Sequence, residues 1–186
     1  MKRLVPTVLL GLVASAALFL AGSAALQAQS ADSEKVATLF NQMRQHVALA
    51  ERDAEVLETY TRSRVSWESH ARRVSAMKDH VNALIGDYNE AKGLHDEASP
   101  WQKEALDRLE PLLQGLAQHL SASIDHLNKN QGKVNLKPWQ DYIKANYQYT
   151  VRTSNLIRDF MDYGDAKNTV ETLEQKLELP ETPGQE

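Results

Sequence analysis

The chemistry open to this chain rests on six histidines: His46, His70, His80, His95, His119 and His126. Imidazole ligates zinc and copper and titrates near neutral pH, so each is a candidate ligand or proton carrier. Their spacing restricts the options. None sits in Glu-x-x-His, so the carboxylate-bridged di-iron pattern of helical bundles is absent. No His-Glu-x-x-His zinc helix occurs either. His119 and His126 are seven residues apart, about 10 Å along one helix face, too far to share a metal. A metal site must therefore be assembled across helices. The chain has no cysteine, which excludes disulfides, thiolate ligands, thiol catalysis, c-type haem attachment and a lipoprotein anchor. No glycine-rich phosphate loop is present, and no serine, histidine and acid trio stands out. The expectation is a non-enzymatic protein.

Haem b held by methionine and histidine is a further use of helical bundles, with Met43, Met77 and Met161 as candidate ligands. The last helix contains no histidine, and no methionine falls level with His70 or His126. Methionines at seam spacing fill cores, so no cofactor is expected.

The elements that must position these residues are helices. Val36, Phe40, Met43, Val47, Ala50, Ala54 and Leu57 alternate spacings of four and three, the stripe of a helix packed on other helices. Asp32 or Ser33 can cap it. A second stripe, Trp67, His70, Val74, Met77, Val81, Leu84, Tyr88 and Ala91, is out of phase by three, which puts a break near 61–66 with Ser66 as cap. Gly93-Leu94 suits a left-handed stop. Ser99-Pro100-Trp101-Gln102 combines a cap, proline at the first helical position and a glutamine able to reach back. Leu106, Leu109, Leu113, Leu116, Leu120, Ile124 and Leu127 form the third stripe, which Gly132 ends and in which Pro111 should kink or break the helix. After Pro138, the residues Tyr142, Tyr149, Leu156, Tyr163, Val170 and Leu177 recur every seven, with Trp139, Phe160 and Leu173 beside them. The predicted fold is all-α, an antiparallel up-down-up-down four-helix bundle with an extended C-terminal helix. Its helices span approximately 33–61, 67–92, 100–131 (kinked near 111) and 138–179. Pro-Trp-Gln occurs at 100–102 and 138–140, where the tryptophans can plug bundle ends.

Pairing the ends of antiparallel helices sets His70 level with His126, and His80 level with His46. His70 and His126 are thus the candidate metal ligands, in a two-histidine site completed by a carboxylate. A pocket where Pro111 passes Ile85-Gly86 is a second candidate ligand site.

Sequence signals also bear on location. Met1-Lys2-Arg3 precedes an apolar stretch from Leu4 to Leu26, with small residues Ser23-Ala24-Ala25 near its end. This predicts a secretory signal peptide over 1–28, cleaved after Ala25 or Ala28. The alternative is an uncleaved anchor, since the run is about long enough to span a bilayer. Either way the remainder, 29–186, lies outside the cytoplasm, in the periplasm or secreted, or facing outward from the inner membrane. About 150 residues remain, a one-domain length. Removing Lys2 and Arg3 from 21 basic residues leaves 19 against 25 acidic, a formal charge of −6. A mildly acidic chain with no basic block is a poor partner for nucleic acid or anionic lipid.

The fourth helix is longer than its neighbours. It matches them by about Tyr163, yet its pattern continues through Val170, Leu173 and Leu177, leaving roughly 14 residues, about 20 Å, of unmatched amphipathic helix. This stripe can pair with its copy, dock on another protein, or fold back at Gly164 over the bundle end. Pro180 and Pro183 end the helix in a disordered tail, 180–186. The leading expectation is an exported bundle acting through protein contacts at Val170, Leu173 and Leu177. The alternative is a metal- or small-ligand-binding bundle using His70 with His126 or the Pro111 pocket.

Overall fold

The computed structural model describes residues 32–177; the leader and the tail expected at the two ends lie outside them. Four helices account for most of this span: α1 (Glu34–Thr61), α2 (Trp67–Gly93), α3 (Pro100–Lys129) and α4 (Lys137–Leu177). Short 3-10 turns at His95–Glu97 and Gln131–Lys133 join α2 to α3 and α3 to α4. Among the described residues there is no strand, and no helix is long and apolar enough to cross a membrane.

Cross-helix contacts run in opposite order along each neighbouring pair. Between α1 and α2, His46 meets Asp87 while Asp53 meets His80. Lys92 near the end of α2 reaches Asp107 near the start of α3. Trp101 at the start of α3 lies against Gly164 of α4, whereas Ser123 of α3 bonds Asn146 of α4. Asn168 of α4 closes the ring by bonding Asp32 beside the start of α1. The four helices therefore form an antiparallel bundle in which neighbours in sequence are neighbours in space.

The cores of α1, α2 and α3 follow their sequence stripes. Val36, Phe40, Met43, Val47, Ala50, Ala54 and Leu57 are all buried, as are His70 to Ala91 on the α2 seam. On α3, Leu106 to Leu120 and Leu127 are buried, while Ser123 takes the inward position beside half-buried Ile124. Each such leucine contributes about 1.5–3 kcal/mol on leaving water.

α4 departs from expectation. Its buried face is Trp139, Ile143, Asn146, Thr150, Thr153, Ile157 and Gly164. The tyrosine stripe is rotated off the centre: Tyr149 and Leu156 are only partly buried, and Tyr163 is exposed. The reason is local hydrogen bonding. Thr150 Oγ1 donates to the Asn146 carbonyl at 3.0 Å and Thr153 Oγ1 to that of Tyr149 at 2.8 Å. A threonine that satisfies its hydroxyl on its own helix can sit in a core. Asn146 Nδ2 likewise donates to Ser123 Oγ at 2.6 Å, and Ser123 Oγ to the His119 carbonyl at 2.7 Å.

Helix ends and interiors add further detail. Of the two expected caps, Ser33 is the one that caps α1, its Oγ accepting from the Val36 N–H. Neither Gly93 nor Gly132 has a left-handed backbone. α2 leaves through Leu94 at φ −100° into its 3-10 turn, and α3 ends at Lys129 before Gly132. Pro111 does not break α3, which is continuous from Pro100 to Lys129. Its ring is on the exposed face, where the carbonyl it leaves unbonded can turn to water. α4 is also continuous through Gly164, so the chain does not fold back there. Gly164 is instead buried against Trp101, where a Cβ would stand 2.5 Å from Trp101 Cζ2.

Two tryptophans plug opposite ends. At one end, Trp101 packs on Phe40 at 5.8 Å, and its Nε1 donates to Asp32 Oδ1 at 2.6 Å. Beside it, Gln102 Oε1 accepts from the Ser99 N–H at 2.9 Å and the Ser33 N–H at 3.1 Å, binding the starts of α1 and α3 together. Trp139 is fully buried at the other end.

Candidate functional site

His70 and His126 do come to one end of the bundle, His126 stacked on a face of Trp139 and His70 at its indole N–H edge. His70 is fully buried on α2, and the Trp139 indole Nε1–H donates to its Nδ1 at 3.1 Å. Acceptance at Nδ1 puts the ring proton on Nε2 of the neutral imidazole. Burial holds the His70 pKa below the ordinary imidazole value, consistent with a ring kept neutral. The Tyr60 ring meets His70 edge-on at 5.5 Å and 77°. His126 stacks on Trp139 at 6.2 Å and 16°, and tilts against Tyr142 at 4.9 Å. The Nε2 atoms of both histidines are buried without a hydrogen-bond partner.

Trp139 thus stands against both imidazoles and engages one nitrogen of His70. No carboxylate completes the set: among the described residues, no group of three or more histidine, aspartate or glutamate side chains is placed to hold a metal ion. The arrangement can support hydrogen bonding and aromatic packing at the bundle end, and offers one open nitrogen from each ring to a small polar guest.

The expected level of His46 with His80 is corrected by the α1–α2 register. His46 Nε2 lies 3.5 Å from Asp87 Oδ2, and His80 Nε2 lies 3.6 Å from Asp53 Oδ2. The two histidines are therefore two turns apart, about 10 Å along the bundle. Asp53 is 4% exposed and also accepts from Arg73 Nη1 at 2.7 Å, which raises the pKa of Arg73. Burial raises the pKa of Asp87, with nearby His46 opposing the shift. These reciprocal pairs are the residues that sequence reasoning missed. The signal was present as a repeated His-Val-x5-Asp, at 46–53 and 80–87, which antiparallel pairing converts into two swapped His–Asp contacts.

Pro111, the other expected ligand position, is exposed and lines none of three concave surfaces found on the described residues. One of them, about 430 Å³, lies between α3 and α4, with Trp101, Arg108, Leu156, Phe160 and Tyr163 in its wall. Arg108 sits over the Phe160 ring at 5.7 Å.

The end of α4 is exposed as its pattern implied. Val170, Leu173 and Leu177 are 53%, 48% and 61% exposed. Asn168 bonds Asp32 beside the start of α1. The nine residues from 169 to 177 extend beyond it, roughly 14 Å of helix. Compared with protein-family models, curated proteins and solved structures, the chain matches none.

Proposed function

We propose that this chain is an exported, non-enzymatic interaction protein of the cell envelope, in which the bundle is a rigid mount and the end of α4 is the contact. The observation that carries the reading is the exposure of Val170, Leu173 and Leu177 on a helix that continues past its neighbours. Large apolar side chains in a row on a solvent-facing helix cost free energy unless another surface covers them. Export is supported by the Lys2-Arg3 start and the apolar run after it. The reading puts the bundle in the periplasm or outside the cell, or at the inner membrane facing outward if the leader is kept. Ending the chain at Asn168 tests it: partner capture or self-association should be lost with the bundle's stability little changed. If oligomeric state, capture and stability all stay the same, the reading fails.

A second reading is a metal- or small-ligand-binding module using His70 and His126. The buried, unpartnered Nε2 of His126 favours it, whereas His70 could ligate through Nε2 only by giving up the bond from Trp139 to its Nδ1. It expects stoichiometric zinc or copper bound by the native protein and lost in His70→Ala with His126→Ala; equal binding by the double variant would remove it.

A further inference from the structure

We propose that the occupant of the α4 overhang is a second copy of the same overhang, paired antiparallel. The proposal rests on the reading of α4 as the contact and names its partner. Tyr163, Ala166, Val170, Leu173 and Leu177 are spaced three, four, three and four, the seam of a two-helix coiled coil. Such a seam requires a helix opposite it, not an extended peptide. This one complements itself. With the crossing point between Val170 and Leu173, Val170 faces Leu173 of the second copy and Ala166 faces Leu177 of the second copy. All four layers are apolar, each with a larger side chain against a smaller one.

The overhang length fits the same register. Leu177 of the second copy lands beside Ala166, just where Asn168 and Gly164 mark the end of the first bundle. The two bundles then stand end to end, about 10 Å apart between their Asn168 levels, without overlapping. The seam also runs into the groove of about 430 Å³ whose rim is Tyr163, with Trp101 and Phe160 behind it. Helix pairing over four layers falls below the roughly 1,200 Å² of a stable specific interface. The association expected is therefore reversible.

Sedimentation of the full chain from about 1 to 200 µM tests the pairing, across the range expected of a small interface. The expected result is a monomer–dimer equilibrium that Leu173→Glu weakens by about a hundredfold. Leu173 is exposed, so this variant should keep the helix content of the parent, checked by circular dichroism. The chain has no cysteine, so introduced thiols report register directly. Val170→Cys chains mixed with Leu173→Cys chains should form the mixed disulfide faster than either variant links to itself. Self-linking of each variant in preference to mixing would mean parallel pairing and overturn the register. A monomer throughout, or a dimer indifferent to Leu173→Glu, would overturn the proposal. In those cases, loss of capture of another protein on ending the chain at Asn168 would leave the broader reading standing. No effect of that truncation would sink both.

Discussion

Changing Gly86 and Gly164 to alanine makes the same chemical substitution within two helices and should have opposite effects. A helix-interior alanine is about 0.8–1.0 kcal/mol more favourable than glycine. Gly86 is exposed, and a Cβ there meets nothing within 4 Å, so Gly86→Ala should stabilise by about that amount. At Gly164 the Cβ would stand 2.5 Å from Trp101 Cζ2 and 3.0 Å from Cε2 and Cη2. The indole cannot slide aside freely, because its Nε1 is bonded to Asp32 and its ring packs on Phe40. Overpacking costs about 1–3 kcal/mol, and withdrawal of the ring weakens a hydrogen bond to a charged group, worth about 1.5–3 kcal/mol. Less the gain in propensity, Gly164→Ala should destabilise by about 1–3 kcal/mol. The two variants should thus differ by about 2–4 kcal/mol in urea unfolding followed by far-ultraviolet circular dichroism. At this size each kcal/mol moves Tm by about 2–4 °C. Tryptophan fluorescence of the folded protein should change in Gly164→Ala and not in Gly86→Ala. If the two variants are equally stabilised within about 0.5 kcal/mol, Trp101 is not seated on α4 and the account of that bundle end is wrong.

Three other outcomes follow from particular side-chain contacts. His70 has its pKa lowered by burial, so its contribution is complete above the unfolded value of about 6.5 and is lost as pH falls from there toward the folded value. In His70→Leu the Trp139 N–H loses its acceptor, which costs about 1–3 kcal/mol at neutral pH; its stability deficit should narrow on acidification, and a deficit that widens would contradict the assignment. Asp53→Asn removes the carboxylate that Arg73 and His80 share, and with Arg73 partly exposed the loss should be about 1–2 kcal/mol in urea unfolding; no loss would mean the pair makes no net contribution. Trp101→Phe unties Asp32, which also holds Asn168; hydrogen exchange should speed up in α4 after Gly164 while its middle stays protected, and equal change along the whole helix would point to global destabilisation instead.

The helical class and the faces of α1 to α3 were readable because leucine, valine and methionine at three-four spacing have no other use in a polar chain. The start of α3 was readable for the same reason of limited alternatives: Ser99-Pro100-Trp101-Gln102 suits a helix start. α4 was misread because hydrophobicity was used to locate its core. Asn146, Thr150 and Thr153 are buried by virtue of hydrogen bonds to their own helix and to Ser123, while the more apolar Tyr149 and Leu156 lie at its edge. Glycine carried meanings that sequence alone does not separate: Gly86 is open, whereas Gly164 makes room for a ring. At the site, the approach of His70 and His126 to one end was legible from helix order. That Trp139 stands against both was not, because it depends on a diagonal contact between α2 and α4. The His46–Asp87 and Asp53–His80 pairs depended on a register that matching helix ends misjudged by two turns.

The central claim is that the end of α4 is the working surface, and site-specific photo-cross-linking in living cells tests it most directly. A photoreactive residue at Leu173 is compared with one at Leu49, an apolar position on α1 that is similarly exposed at 42% against 48%. The account predicts a discrete cross-linked species from Leu173 and none from Leu49. No product from Leu173, or the same products from both positions, would contradict it.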